Sequence, residues 1–304
     1  MPVDNNNLRA IKPKAHQNYV AFFLTLSCNL RCPYCINRHQ EIKGKRQDRD
    51  GQLSADDWIT AANRLVLRED LPLTLQGGEP TLHKGFYKFV NEVRVEIKMD
   101  LLTNMTFDVG RFIKEVPVSR FTRKAPYAAI RVSYHPGQND LGELIKKTKR
   151  LEDAGFRIGL YSVLVPDEAL KSHILKAQEK CLGLGLDFRT KEFLGEYNGK
   201  MHGSFKYARS VGAPALGSCK CRTTEIIVDP AGRVYKCHAD LYRARNSIAH
   251  ILDADFSEDA ASTFRDCDFY GDCNPCDVKI KTNRMQIFGH TSVEIKDIAE
   301  PSRL

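Results

Sequence analysis

The sequence predicts an α/β protein: a parallel sheet with outer helices, curled toward a partial (β/α)6 barrel and followed by a small cysteine-rich segment of β-hairpin and helix. Three observations predict it. Between residues 19 and 194, six short apolar runs alternate with segments of helical periodicity. That alternation argues for parallel strands joined by crossover helices, which right-handed connections curl one way. Almost every run ends on polar residues, and the C-terminal strand ends are the reactive edge of such folds. Beyond residue 195 the alternation stops, and six of the ten cysteines follow.

The elements come in order. "YVAFFLTL" is a first strand, followed by a charged loop and a helix that starts at Ser54, with Trp58, Ala61, Ala62, Leu65 and Val66 at helical spacing. "LPLTL" runs into "QGGEP", and the next helix carries Phe86, Phe89, Val90 and Val93 on one face. "EIKMDLLTN" and "YAAIRVSYHP" are the third and fourth strands. The helix "DLGELIKKTKRLEDAG" turns Leu141, Leu144, Ile145, Thr148 and Leu151 inward, with Gly155 placed as its stop. "FRIGLYSVLVP" is a strand, 168–184 a helix and "LDFRTKEF" the sixth strand. The strand ends then present Ser27-Cys28, Gln76-Gly77-Gly78-Glu79, Thr103-Asn104, Ser133-Tyr134-His135, Val165-Pro166 and Lys191-Glu192. So many polar ends suggest one shared site. Residues 195–218 are glycine-rich and read as a connection, and "TEIIVDPAGRVYKCH" is a hairpin about Asp229-Pro-Ala-Gly232.

Composition narrows the class. The chain has 304 residues, 42% hydrophobic, enough for a sizeable core. No run is apolar for the ~18 residues of a membrane span, and residues 1–18 are polar, without a signal peptide's apolar stretch. A cytoplasmic protein is expected, in which clustered cysteines mean metal or redox chemistry rather than disulfides. The formal charge of +8 permits an anionic partner without demonstrating one. No interleaved basic and aromatic stripe marks a nucleic-acid binder.

Cys28, Cys32 and Cys35 stand within eight residues of "TLSCNLRCPYCINR", while the next cysteine along the chain is Cys181. A structural zinc site wants four closed ligands, and a catalytic metal wants an open position. Protein-held iron–sulfur clusters mostly take four cysteines; three would leave one iron open.

"CNLRCPYC", with Tyr34 before its last cysteine, resembles the Cys-x3-Cys-x2-Cys signature of the radical S-adenosylmethionine (SAM) superfamily. The "GGEP" at the second strand end is similar to the segment with which these enzymes bind the methionine amino group of SAM. The resemblance covers residues 19–194 and implies a partial TIM-like barrel, with 1–18 as an N-terminal extension. It implies that Cys28, Cys32 and Cys35 hold three irons of a [4Fe–4S] cluster whose fourth iron chelates SAM. One-electron cleavage of the sulfonium would then give a 5′-deoxyadenosyl radical that abstracts a hydrogen atom from the substrate. Gly77 and Gly78 would let the backbone approach a ligand, and Glu79 would accept from the SAM ammonium. Asn104 and Ser133 would reach its ribose or carboxylate, or simply cap their strands. Tyr34 is expected near the adenine, through its backbone.

The later cysteines resemble the SPASM and twitch extensions of the same superfamily, expected over residues 219–304. Cys237 follows Gly232 by five residues, and Cys273-x2-Cys276 closes the set. The order Cys267-x5-Cys273-x2-Cys276 reverses the SPASM run and favours the one-cluster twitch form. Four ligands to an auxiliary [4Fe–4S] cluster would then be Cys237, Cys273 and Cys276 with Cys219 or Cys221, leaving Cys267 outside. A zinc ribbon on the same thiolates is the alternative.

Other residues are weighed singly. His135 is a strand-end candidate for acid–base work or substrate contact. Glu192, with Tyr134, Gln138 and Lys191, is a lesser candidate for the pocket, and His202 and Tyr197 could lie over it. Cys181 could donate a hydrogen atom to a product radical, although a lone helical cysteine is more often a packed hydrophobe. The run "KGKRQDR" reads as a solvated loop that could grip an anion or a flavodoxin-type donor. The expectation is a radical oxidation, epimerisation or bond-forming step on a small-molecule, sugar or nucleotide-like substrate, with flavodoxin or ferredoxin as electron donor. A peptide or protein side chain is the runner-up substrate. A non-enzymatic electron-transfer protein is a further alternative, with "QGGEP" and the open three-cysteine site against it.

Overall fold

A computed structural model of the chain describes residues 8–36, 51–68, 71–281 and 289–299. The charged run at 43–49 lies outside the described residues. Six parallel strands, β1 (Val20–Thr25), β2 (Leu73–Gly77), β3 (Met99–Thr103), β4 (Ile130–Ser133), β5 (Ile158–Leu164) and β6 (Phe188–Glu192), neighbour one another in chain order. Five helices cross between them: α1 (Ala55–Asn63), α2 (Phe86–Glu92), α3 (Val109–Glu115), α4 (Leu141–Asp153) and α5 (Glu168–Gly183). Each strand therefore returns through a helix, as the alternation predicts.

The helices form where local chemistry starts and stops them. Ser54 and Asp57 close a reciprocal capping box on α1. Asp140 and Asp167 cap α4 and α5 by accepting from Glu143 N and Leu170 N, each at 2.8 Å. Gly155, at φ +91°, takes the left-handed position that ends α4. Trp58, Phe86, Phe89, Phe112, Leu144, Leu151 and Ile174 pack from the helices onto Val20, Phe22, Leu24, Leu73, Leu101 and Leu160 of the sheet. Val66 lies beyond the end of α1 and is exposed, against the helical spacing that turned it inward.

The hairpin joins this sheet. Its strands β10 (Ile226–Val228) and β11 (Arg233–Tyr235) close on the turn in which Gly232 N donates to Asp229 O at 2.9 Å. β10 lies parallel to β1, with Val20 opposite Ile226, and a short β12 (Ala249–His250) makes the far edge. The nine strands form an open sheet, not a closed barrel. In the 195–218 connection, β7 (Gly195–Tyr197) and β8 (Lys200–His202) pair as a small hairpin. A second, antiparallel sheet sets β9 (Gly217–Thr223) between β13 (Arg265–Tyr270) and β14 (Val293–Ala299). Three short helices complete the chain: α6 (His238–Arg243), α7 (Glu258–Ser262) and α8 (Pro275–Val278). None of the described helices is long and apolar enough to cross a membrane.

Two features close the inside of the curled sheet. Near β1, Leu241 and Tyr242 of α6 pack on Ala21, Phe23, Ile227 and Tyr235, on the face opposite the outer helices. At the N-terminal end of the strands, Asp100 accepts from Arg123 Nε at 2.9 Å, and from Arg123 Nη2 and Arg131 Nη2 at 2.8 Å, all three residues buried. Removing the carboxylate strands two buried guanidinium groups. Asp100→Ala is therefore expected to lower unfolding stability by about 3–5 kcal/mol, read from the denaturant midpoint; a loss below about 1 kcal/mol would contradict this account.

Candidate active site

Where β1 ends, the chain runs on past β2 and presses against it. Thr25 O accepts from Gly78 N and Ser27 O from Glu79 N, both at 2.8 Å. A Cβ on Gly77 would stand 2.0 Å from Thr25 O, and one on Gly78 would stand 2.1 Å from Ser27 O. Gly77 also has φ +144°, a conformation L side chains rarely adopt. The glycines are thus required by the overrun of β1 and not only by a ligand, although both also line the cavity above the strands.

Glu79 takes a different place from the one expected of a ligand-binding carboxylate. It is fully buried and absent from the cavity wall. Its Oε1 accepts from Thr81 Oγ1 at 2.5 Å and Thr103 Oγ1 at 2.8 Å, and its Oε2 from Asn104 N at 2.6 Å. Burial pushes its carboxyl above the usual range, opposed by these donors. Glu79 thereby ties the end of β2 to the end of β3.

That tie places Asn104. Its amide donates to Asn29 Oδ1 at 2.9 Å and to Cys28 Sγ at 3.7 Å, and Leu30 N also donates to Cys28 Sγ at 3.4 Å. Arg31 N donates to Gln138 Oε1 at 2.9 Å, which holds the middle of the cysteine loop to the turn after β4. The loop then turns once, Cys35 N donating to Cys32 O. Cys28, Cys32 and Cys35 all face a cavity of about 650 Å³, with Gly77 and Gly78 from β2, Asn104 after β3, and Ser133 and His135 from the β4 end. That volume lies within the ~300–1,000 Å³ of small-molecule sites. Three thiols on one wall, one of them already receiving two N–H groups, fit a cluster held by thiolates.

His135 and Tyr34 meet across the cavity floor, phenol oxygen to Nδ1 at 3.2 Å. Burial, with the Lys191 ammonium adding to it, lowers the His135 imidazole to about 4, so the ring is neutral at pH 7. Burial raises the Tyr34 phenol. Lys191 and Glu192 of β6 line the far side with Phe193 and Leu194. Lys191 Nζ stands over the Tyr161 ring, 5.0 Å from its centroid.

Several candidates lie elsewhere. Cys181 is fully buried on α5, packed into the core between helix and sheet, where it cannot reach a substrate. Tyr134 is also core, its hydroxyl 2.7 Å from His173 Nε2. Tyr197 donates to Asp167 at 3.4 Å and His202 packs edge-on to Phe193, and neither lines the cavity.

The six late cysteines divide unexpectedly. Cys219 and Cys221 share one face of β9, and Cys267 of β13 is the register partner of Cys219. These three, with Cys237 and Cys273, line a second cavity of about 20 Å³, room for a water or two. Cys267, left outside by spacing, is among them, whereas Cys276 faces the large cavity beside Cys35. Lys236 is buried beside Cys221 and Cys267, its ammonium 3.5 Å from Asp240; burial opposes its charge, and the negative groups around it raise its pKa all the same. Five thiols suit a soft metal centre, although Asp240, Asp272 and Asp277 share the wall, and the space admits a cluster only after the thiols turn outward. Among the described residues no group of three or more His, Cys, Asp or Glu side chains is arranged to hold a single metal ion. Spacing also gave no sign of Arg31 and Lys279, both on the large cavity's wall; only their proximity to cysteines marked them.

An open parallel barrel with a three-cysteine loop after its first strand defines a class of cluster-bearing enzyme. Residues 22–174, half of the chain, match the model of the radical SAM superfamily, and the chain belongs to it. It is accordingly an enzyme whose family uses a [4Fe–4S] cluster and SAM. It is 28% identical over 157 residues to a GTP 3′,8-cyclase of Actinobacillus succinogenes, covering 49% of this chain and 46% of that one. It is 34% identical over 82 residues to a PqqA peptide cyclase of Rhodopseudomonas palustris, covering 27% and 20%. The chain therefore spans less than half the length of these curated relatives. Among solved structures, native anSMEcpe with bound AdoMet and a Kp18Cys peptide superposes with a TM-score of 0.53 at 15% identity over 77% of each chain. Streptococcus suis SuiB bound to S-adenosylmethionine gives 0.51 at 13% identity over 86% of this chain and 68% of that one. At such identities the structures show the fold alone.

The His135 ring predicts a pH signature. An imidazole that is neutral when folded, and ordinary when unfolded, stabilises fully above pH 6.5, and the contribution is lost as pH falls toward about 4. Its size is on the order of 3 kcal/mol. Stability of His135→Asn should fall less steeply across that window than the parent's; parallel slopes would show that His135 does not titrate this way.

Proposed function

We propose that this chain binds SAM against the cysteine-loop cluster and abstracts a hydrogen atom from a small molecule held on the β5–β6 side of the same cavity. One observation carries the reading: Cys28, Cys32 and Cys35 share a single cavity with the β2, β3 and β4 ends and with the polar end of β6. When bound, the cluster and SAM supply one-electron cleavage of the sulfonium and a 5′-deoxyadenosyl radical. The chain supplies position. Gly77, Gly78 and Asn104 fix the wall nearest the cysteines, the neutral His135 offers a hydrogen-bonding nitrogen without a charge, and Phe193 and Leu194 give apolar surface that excludes water. The curated relatives act on GTP and on the PqqA peptide; a cavity of about 650 Å³ is of small-molecule size and favours the small molecule here, with a peptide as the second reading. The one-electron donor would be a flavodoxin or ferredoxin.

The reading is tested by 5′-deoxyadenosine release. Protein reconstituted without oxygen, reduced and given SAM should release it and bind SAM, and a Cys28/Cys32/Cys35→Ala triple variant should do neither. Failure of a fully loaded parent to bind SAM would remove the reading.

The second thiol cavity would hold an auxiliary [4Fe–4S] cluster on Cys267 and three of Cys219, Cys221, Cys237 and Cys273. The triple variant should then keep about four irons per chain. Cys267→Ala within it should lose them, while Cys276→Ala should not. Zinc without iron in the triple variant would replace this cluster by a ribbon-type site.

A further inference from the structure

The large cavity carries an excess of positive charge that the reaction itself does not require. Among the described residues its charged lining is Arg31, Lys191 and Lys279 against one carboxylate, Glu192, because Glu79 is buried beneath the wall. Two of the cations belong to elements other than the cysteine loop. Lys191 comes from the end of β6, its ammonium held over the Tyr161 ring on the inner face. Lys279 comes from the residue after α8, about 90 positions further along the chain, and is not left loose by that distance. Asn274 caps α8 by accepting from Cys276 N at 2.9 Å. Asp277 accepts from His238 N at 2.9 Å, Ala239 N at 3.1 Å and the His238 ring at 2.8 Å, which pins α8 to α6. Lys279 N donates to Pro275 O at 3.1 Å, and the residue bridges to Phe205. Among the described residues neither Arg31 nor Lys279 has an ion-pair partner for its side chain.

The same cavity wall carries apolar residues, Val163, Phe193 and Leu194. Two ammonium groups on the wall of one cavity that also has apolar lining match a doubly charged anion on an organic body better than a single carboxylate, and lysine binds phosphoryl oxygens as a point charge. We propose that the substrate carries a phosphoryl group and that Lys191 and Lys279 hold it on the β6–α8 side of the cavity. This rests on the reading of that cavity as the substrate site. The +8 charge of the whole chain would add long-range attraction for such a substrate.

The probe is inorganic pyrophosphate, titrated calorimetrically into reconstituted protein with and without saturating SAM. SAM itself is titrated into the same samples. The parent should bind pyrophosphate saturably with SAM present, more weakly as salt rises. Lys191→Met and Lys279→Met should each weaken it about tenfold or more, and Lys279→Arg should restore most of the loss. Iron content and SAM affinity show that each variant is folded and loaded. Absence of saturable binding, or binding undiminished in the double methionine variant, overturns the inference. Failure to bind SAM overturns the proposed function instead, while the pyrophosphate titration still decides the lysines.

Discussion

The site depends on the run of β1 past the end of β2. Backbone oxygens of Thr25 and Ser27 approach so closely that no side chain fits at Gly77 or Gly78. Their hydrogen bonds to Gly78 N and Glu79 N then fix where the chain leaves β2. From there Glu79 can only turn under the wall, where it gathers the donors that end β3. Asn104 is thereby set beside Cys28, and its amide with that of Gln138 ties the cysteine loop to the ends of β3 and β4. A buried carboxylate with several donors is costly to disturb, so one acidic residue carries the alignment of two strand ends.

The open sheet creates a second demand. An unclosed barrel leaves part of its inner face without a neighbour, and apolar residues there must be covered. Ala21, Phe23 and Ile227 are covered by α6, which belongs to the cysteine-rich part of the chain. The last third of the sequence is therefore built into the barrel twice, by β10 pairing with β1 and by α6 packing inside. The floor is closed by charge instead, with Asp100 between two guanidinium groups.

Much of this was legible in sequence because the signals are local. Apolar runs, Asp and Ser caps and Gly155 mark elements through contacts a few residues apart. The polar strand ends follow from them. What was not legible depends on pairings across long separations. β10 finds β1 some two hundred residues away, and nothing in "TEIIVDP" names its partner. Cys267 meets Cys219 through antiparallel register, which spacing along the chain cannot express. Cys219-x-Cys221 did carry a signal, since alternate residues of a strand share a face. The inward turn of Glu79 was hidden because acidic residues at strand ends usually face solvent or ligand, and only the approach of Thr25 and Ser27 excludes both.

Helix α8 joins the two cavities mechanically. Cys273, just before it, faces the small thiol cavity; Cys276, within it, faces the large one; and Asp277 between Cys276 and Val278 is locked to α6. Lys279 then reaches the substrate side. A helix of four residues has few internal hydrogen bonds of its own and takes its place from the packing around it, here the Asp277 contacts to α6. Any outward turn of the thiols that makes room in the small cavity must therefore be taken up within the chain around Cys273, or be transmitted through α8 to Cys276 and Lys279. The buried pairing of Asp277 with His238, and of Glu225 with Lys281 beside it, resists the second course. The anchor that positions Lys279 is thus also what isolates the substrate side from changes at the thiol cavity.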